Sequence, residues 1–241
     1  MKGKSVSVLK SITREQLLGN YSKLTGYVLL YLLLQFTVAQ ILVMINIDNV
    51  FIRLLVNFIQ SVFTNIFVIG LYRVCMLTVR SQQVSLKEYF YAFTHDPDKV
   101  VIISAVMMLF VSLIYIPVIL PRDAVLQLGM GEGTLLLIKC VWMCAGLIIY
   151  VFFMIHIALW IMLYIERPEL SSGEILLLSK RVMKNHKLRY FYLLFNQLGV
   201  VLLIILTATI GSLWLMPYIC VLNINFYEDV KGETDGYLIE A

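Results

Sequence analysis

An all-α integral membrane protein is the fold this sequence predicts, with about six transmembrane helices and one or two cytoplasmic interfacial amphipathic helices. Three observations predict it. Apolar residues make up 61% of the 241-residue chain and charged residues only 14%, against about 45–50% and about 25% in an ordinary soluble domain. Mean hydropathy is +0.88. The apolar residues are gathered into long charge-free runs rather than scattered. A soluble globule of this length has no interior for so much apolar surface, so a soluble enzyme and a disordered tail are excluded. The 4 cysteines are too few for a disulfide framework. Cys75, Cys140, Cys144 and Cys220 all lie in apolar stretches, where free thiols pack as small hydrophobes.

A crossing helix needs about 20 apolar residues. Charge-free runs cover Leu24–Ile47 (24 residues), Leu54–Tyr72 (19), Val100–Pro121 (22) and Cys140–Ile165 (26). A final run, Tyr190–Tyr227, has 38 residues and is too long for one crossing. The small residues from Thr207 to Ser212 suit a turn that divides it. The expected spans are about 25–46, 54–79, 100–120, 135–164, 190–207 and 213–228. The sixth is short and holds Pro217, which removes a helical hydrogen bond; a re-entrant segment is its rival. No cleavable signal peptide is expected, because the first run begins only at Leu24 and no small-residue cleavage site follows.

Short loops rich in Lys and Arg stay in the cytoplasm. Residues 1–23, 80–99 and 166–189 together carry 14 basic residues, and the alternate loops carry only Arg53 and Arg122. Both termini are therefore expected inside.

Two cytoplasmic loops carry helix signatures, at about 85–93 and 172–186. Ser85 to Glu88 and Ser171 to Glu174 both fit the S-x-x-E capping box. Leu86, Tyr89, Phe90 and Phe93 suit the headgroup layer. Ile175, Leu178, Val182 and Met183 form an apolar stripe, with Lys180, Arg181, Lys184, Lys187 and Arg189 as basic neighbours and Asn185 as a left-handed cap. This pattern reads either as a topology anchor or as a contact for the anionic lipid of the inner leaflet. Nucleic acid is not an expected partner, since orientation already requires the charge.

Polar residues inside spans either join helices or line a cavity. Arg53, Asn57, Ser61, Thr64 and Asn65 form one stripe on the second span, with Gln60 beside it. Gln35 and Gln40 lie on the first span, and Asn196 and Gln197 on the fifth. His156 lies deep in the fourth, open to a proton or ligand role or to a hydrogen bond with a neighbour. Spacing leaves both readings open. No zinc, nucleophile-elbow or phosphate-loop motif occurs. No enzymatic activity, metal or cofactor is expected.

Several stretches carry a family resemblance: Leu9-Lys10-Ser11, Gln16 through Tyr21, Ser179 through Lys184, Arg189-Tyr190-Phe191, Leu213 through Tyr218, and Phe226-Tyr227-Glu228-Asp229. Together they resemble the bacterial membrane family catalogued as domain of unknown function 975, over nearly the whole chain. Ala145-Gly146, Asn185 and Val200 depart from the family's Pro-Gly, Gly and nearby Trp. The resemblance implies a multi-pass protein of a bacterial cytoplasmic membrane and brings no catalytic residues. The expected role is a non-enzymatic accessory factor, of the immunity or envelope-stress kind, that binds lipid, a membrane-active peptide or a membrane partner. The alternative is a small transporter or channel subunit with a polar pathway.

Overall fold

Helix α1, Val6–Leu17, starts at Ser5, whose hydroxyl accepts from the Val8 amide at 3.4 Å. The sequence reading did not single this helix out. Its signal is the near-helical spacing of Val6, Leu9, Thr13 and Leu17, all of which are buried. Gly19 turns the chain at φ +83°, in the left-handed region, and α2 (Tyr21–Met44) follows. The computed structural model describes residues 3–44, 49–119, 132–207 and 210–239. All regular structure among them is helical.

Next come α3 (Val50–Val79), two short helices α4 (Leu86–Tyr89) and α5 (Tyr91–Thr94), then α6 (Pro97–Ile119). The fourth expected span is α7 (Glu132–His156) and α8 (Trp160–Glu166), separated by a turn. Helices α9 (Ser172–Met183), α10 (Lys187–Leu206) and α11 (Ser212–Ile239) complete the chain. Among the described residues, five stretches are long and apolar enough to cross a membrane: Tyr21–Ile41, Ile52–Val79, Pro97–Ile114, Gly133–Glu166 and Lys187–Leu206.

Helix α11 is not one of these, yet it is continuous through Pro217. Proline leaves the carbonyl four residues earlier without its helical donor. That carbonyl is Leu213 O, and Thr25 Oγ1 on α2 donates to it at 3.2 Å. From Cys220 to Tyr227 every residue of α11 is buried, as suits a helix packed on all sides. It stands among α1, α2, α3, α9 and α10. The core gathers at this end of the bundle: the Ile66–Met76 stretch of α3, the first half of α6, and α8 and α9. The outer stretches of α7 and α10 present Leu137, Ile148, Phe195 and Ile205 outward, as lipid-facing surface does.

The fourth span holds as one apolar stretch, Gly133–Glu166, with a break that the sequence did not announce, and four other expectations are corrected. The fourth span is interrupted at residues 157–159. Ser179 of α9 stitches the break: its hydroxyl donates to His156 O and accepts from the Leu159 amide, both at 3.2 Å. Irregular backbone at such depth is tolerated where protein satisfies it.

The capping box at Ser85 does not form, because Arg73 Nε on α3 takes Glu88 Oε2 at 2.7 Å. The segment is not one interfacial helix but two turns pressed against α3, with Tyr89 fully buried beside Phe67 and Tyr27. Burial raises the pKa of the Tyr89 hydroxyl, which has no hydrogen-bond partner among the described residues.

Helix α9 begins with the expected capping box, Glu174 Oε2 accepting from the Ser171 amide at 2.7 Å. That amide, with the Ser171 hydroxyl, lowers the Glu174 pKa. The apolar stripe of α9 does not lie in lipid. Ile175, Leu178, Val182 and Met183 are buried against the bundle. Asn185 does not adopt the left-handed cap; residues 184–186 form a turn into α10.

Candidate functional site

The polar stripe of α3 divides along its length. Toward the C-terminal end of the stripe, Thr64 Oγ1 donates to Gln35 Oε1 on α2 at 3.1 Å, and Asn65 Nδ2 donates to Ser104 Oγ on α6 at 2.8 Å. Both bonds join neighbouring helices. Gln60 and Ser61 are half-buried, while Arg53 and Asn57 are exposed toward the N-terminal end. Gln40 is exposed on α2. Membrane hydrogen bonds of this kind contribute about 0.6 kcal/mol each on average. Asn65→Ala is therefore expected to shift the unfolding midpoint in detergent only slightly. A loss of several kcal/mol would show this end of the stripe to be more than a helix joint.

A second chain of polar groups crosses the core. Gln197 Nε2 on α10 donates to Asn223 Oδ1 on α11 at 3.4 Å, and Asn223 Nδ2 donates to the Tyr72 hydroxyl on α3 at 3.0 Å. Asn225 Nδ2 donates to Thr13 Oγ1 and Gln16 Oε1 on α1, at 2.9 and 2.8 Å. Asn196 accepts from Lys10 Nζ at 2.9 Å. The structure thus separates the two adjacent α10 residues: Gln197 serves the core, and Asn196 serves α1. His156 neither meets them nor faces a cavity with them; its Nδ1 contacts Phe152 O at 2.6 Å within its own helix.

The C-terminal ends of α3 and α8 meet the second half of α11 in an ion cluster that sequence reasoning missed. Arg80 pairs with Glu166 and Glu228. Tyr227 donates to Glu166 Oε2 at 2.8 Å, and Lys231 Nζ lies 3.2 Å from the same oxygen. A half-open hollow of about 350 Å³ borders the cluster, with Arg73 and Arg167 on its wall. Each of these cations has a carboxylate within reach: Glu88 for Arg73, and Glu169 at 3.8 Å for Arg167. The hollow is self-neutralised, so it carries no net pull on an anion. The signal available in the sequence was the pair Glu228-Asp229 directly after the last charge-free run.

The basic surface of α9 is smaller than the sequence reading made it. Lys180, Arg181 and Lys184 are exposed. Lys187 is half-buried, its ammonium 5.5 Å from the Phe152 ring centroid. Arg189 turns inward, pairs with Asp229 and lies 5.1 Å over the Phe226 ring. The turn at 184–186 resets the helical phase, so residues 187 and 189 leave the face that 180 and 184 share.

Neither a curated protein nor a solved structure matches the chain. The family described as "Protein of unknown function (DUF975)" matches residues 1–234, nearly the whole length. The chain belongs to that family.

Proposed function

We propose that this chain is a non-enzymatic accessory protein of the bacterial cytoplasmic membrane, of the immunity or envelope-stress kind. Both termini lie in the cytoplasm, and α11 packs between the start of α2 and the end of α3. It acts by presenting a rigid basic surface to the anionic inner leaflet, and thereby to a membrane-active peptide or a membrane partner.

One observation carries the reading. The apolar face of α9 is consumed by the bundle while Lys180, Arg181 and Lys184 stay exposed. An amphipathic helix that merely floated on lipid would bury its apolar stripe there. Here the cations are held on a fixed scaffold instead. Each basic residue near an anionic leaflet contributes about 1 kcal/mol. The inner polar residues of α2, α3 and α6 are tied to one another, which leaves less for a continuous pathway.

The experiment is a deletion strain challenged with cationic membrane-active peptides and complemented with variants. Loss of the gene is expected to sensitise the cell, and wild-type protein to restore resistance. Lys180→Gln, Arg181→Gln and Lys184→Gln together are expected to accumulate normally and fail to restore it. Full complementation by that triple variant overturns the reading. Reporter fusions after Gly173 and Ala241 are expected to read cytoplasmic, and fusions after Ile47 and Gly129 external. An external reading after Gly173 breaks the orientation.

A transporter or channel subunit is the second reading, favoured by the exposed Asn57 at the outer end of the α3 stripe. Cysteine scanning over 53–72 separates the two, once Cys75 and the other native cysteines are replaced. Labelling at 57, 61, 64 and 65 by an impermeant reagent, with protection between them, favours a water-filled path. Protection at 64 and 65 favours packed helices.

A further inference from the structure

A groove of about 310 Å³ runs between α1, α10 and α11. Its charged lining residues are cationic. Lys10 reaches over it from α1 to donate to Asn196 Oδ1 at 2.9 Å. Arg14, one turn on, hydrogen-bonds the Tyr218 hydroxyl and lies near that of Tyr21. Val200, Leu222 and Trp214 add an apolar wall, of which Leu222 is fully buried and Trp214 is 53% exposed. Among the described residues no carboxylate lines it. The hollow beside Arg80, by contrast, answers each cation with an acid.

Cations, aromatic rings and apolar side chains thus line a single groove. Lys10 and Arg14 precede the first charge-free run, which sets them at the headgroup level of the leaflet on the N-terminal side. Tyrosine and tryptophan favour that same layer. The Lys10–Asn196 bond leaves the ammonium charge unneutralised, because its partner is an amide.

We propose that this groove binds one anionic phospholipid of the inner leaflet, with its headgroup phosphate on Lys10 and Arg14 and an acyl chain along Val200, Leu222 and Trp214. It rests on the membrane placement proposed above and deepens the lipid-binding part of that reading, through residues separate from those of α9. A zwitterionic lipid offers the same phosphate but adds an ammonium that the two cations repel. A soluble phosphate lacks the chain that the apolar wall accommodates.

The test reads Trp214 fluorescence in the full-length Trp142→Phe protein, reconstituted in phosphatidylcholine vesicles. Trp160 stays in place as a baseline, since it is 3% exposed. Brominated phosphatidylglycerol is expected to quench Trp214 at a lower mole fraction than brominated phosphatidylcholine, with a preference of at least about fivefold per cation. Lys10→Gln and Arg14→Gln are each expected to cut that preference about fivefold, whereas Lys10→Arg and Arg14→Lys retain it. Circular dichroism of each variant checks that the helices persist.

Equal quenching by the two lipids overturns the proposal. So does a preference that survives both glutamine changes, or quenching that millimolar inorganic phosphate relieves. The α9 triple variant makes the two failures distinguishable. If it alone abolishes the preference, the groove assignment falls and the α9 surface stands. If the groove preference persists while the triple variant fully restores peptide resistance, the proposed function falls and the groove stands.

Discussion

Gly70→Ala is expected to disrupt the inner end of the bundle more than any other single methyl added to a described glycine. A Cβ at Gly70 would overlap the Tyr89 carbonyl oxygen and come within 2.9 Å of its carbon. Both are backbone atoms, so no rotamer change relieves the clash. The α4 turn must move off α3, taking with it the buried Tyr89 ring and its contacts with Phe67 and Tyr27. Overpacking costs about 1–3 kcal/mol, and more where the neighbour cannot yield; the rigid carbonyl sets this case at about 3 kcal/mol or above. Gly146→Ala is the graded control, because its Cβ meets the side chain of Ile114 at 2.9 Å, which can shift. Gly26→Ala meets nothing within 4 Å and is expected to stabilise α2 by up to about 1 kcal/mol, the helix-propensity difference. Thermal unfolding in detergent ranks the three. A Gly70→Ala protein as stable as Gly26→Ala would show that α4 does not press on α3.

Ser179→Val is expected to destabilise the protein by about 2–6 kcal/mol, since a buried backbone group left unsatisfied costs about 1–3 kcal/mol and two are affected. Valine keeps approximate bulk but offers no hydroxyl. The Leu159 amide loses its acceptor and the His156 carbonyl loses its added donor. Ser179 is fully buried, so water does not replace it without opening the α8–α9 contact. Ser179→Thr keeps the hydroxyl and is expected to recover part of the loss. Hydrogen exchange localises the effect: the Leu159 amide should become the fastest-opening site of the α7–α8 region in the valine variant. Unchanged protection there, with unchanged stability, would mean that the helix break is held by something other than Ser179.

These two sites mark where legibility in the sequence ends. Gly70 sits in an apolar run with nothing to set it apart from Gly146 or Gly199; only the arrival of α4 gives it meaning. His156 to Leu159 contains neither proline nor glycine, so no local breaker announces the turn. Its hydrogen-bond partner lies 20 residues on from Leu159. The candidate site divides the same way. Gln35 and Thr64 were both recognisable as intramembrane polar residues and do meet, but Asn65 chose Ser104, a small hydroxyl without any visible pattern. Arg189 read as part of a basic face and turned inward to Asp229.

By itself the sequence determined what depends on local sums: the all-α class, the helices that are long and apolar enough to cross, the capping box at Ser171, and the family. Hydropathy and capping act over one helix or one turn, so no distant residue is needed to read them. The tertiary structure alone decided which surface each apolar stripe meets. The α9 stripe fits lipid and core equally well by composition, because acyl chains are as apolar as leucine. The packing of α11, α8, α7 and α6 on α9 turns that stripe inward and leaves the lysines outside.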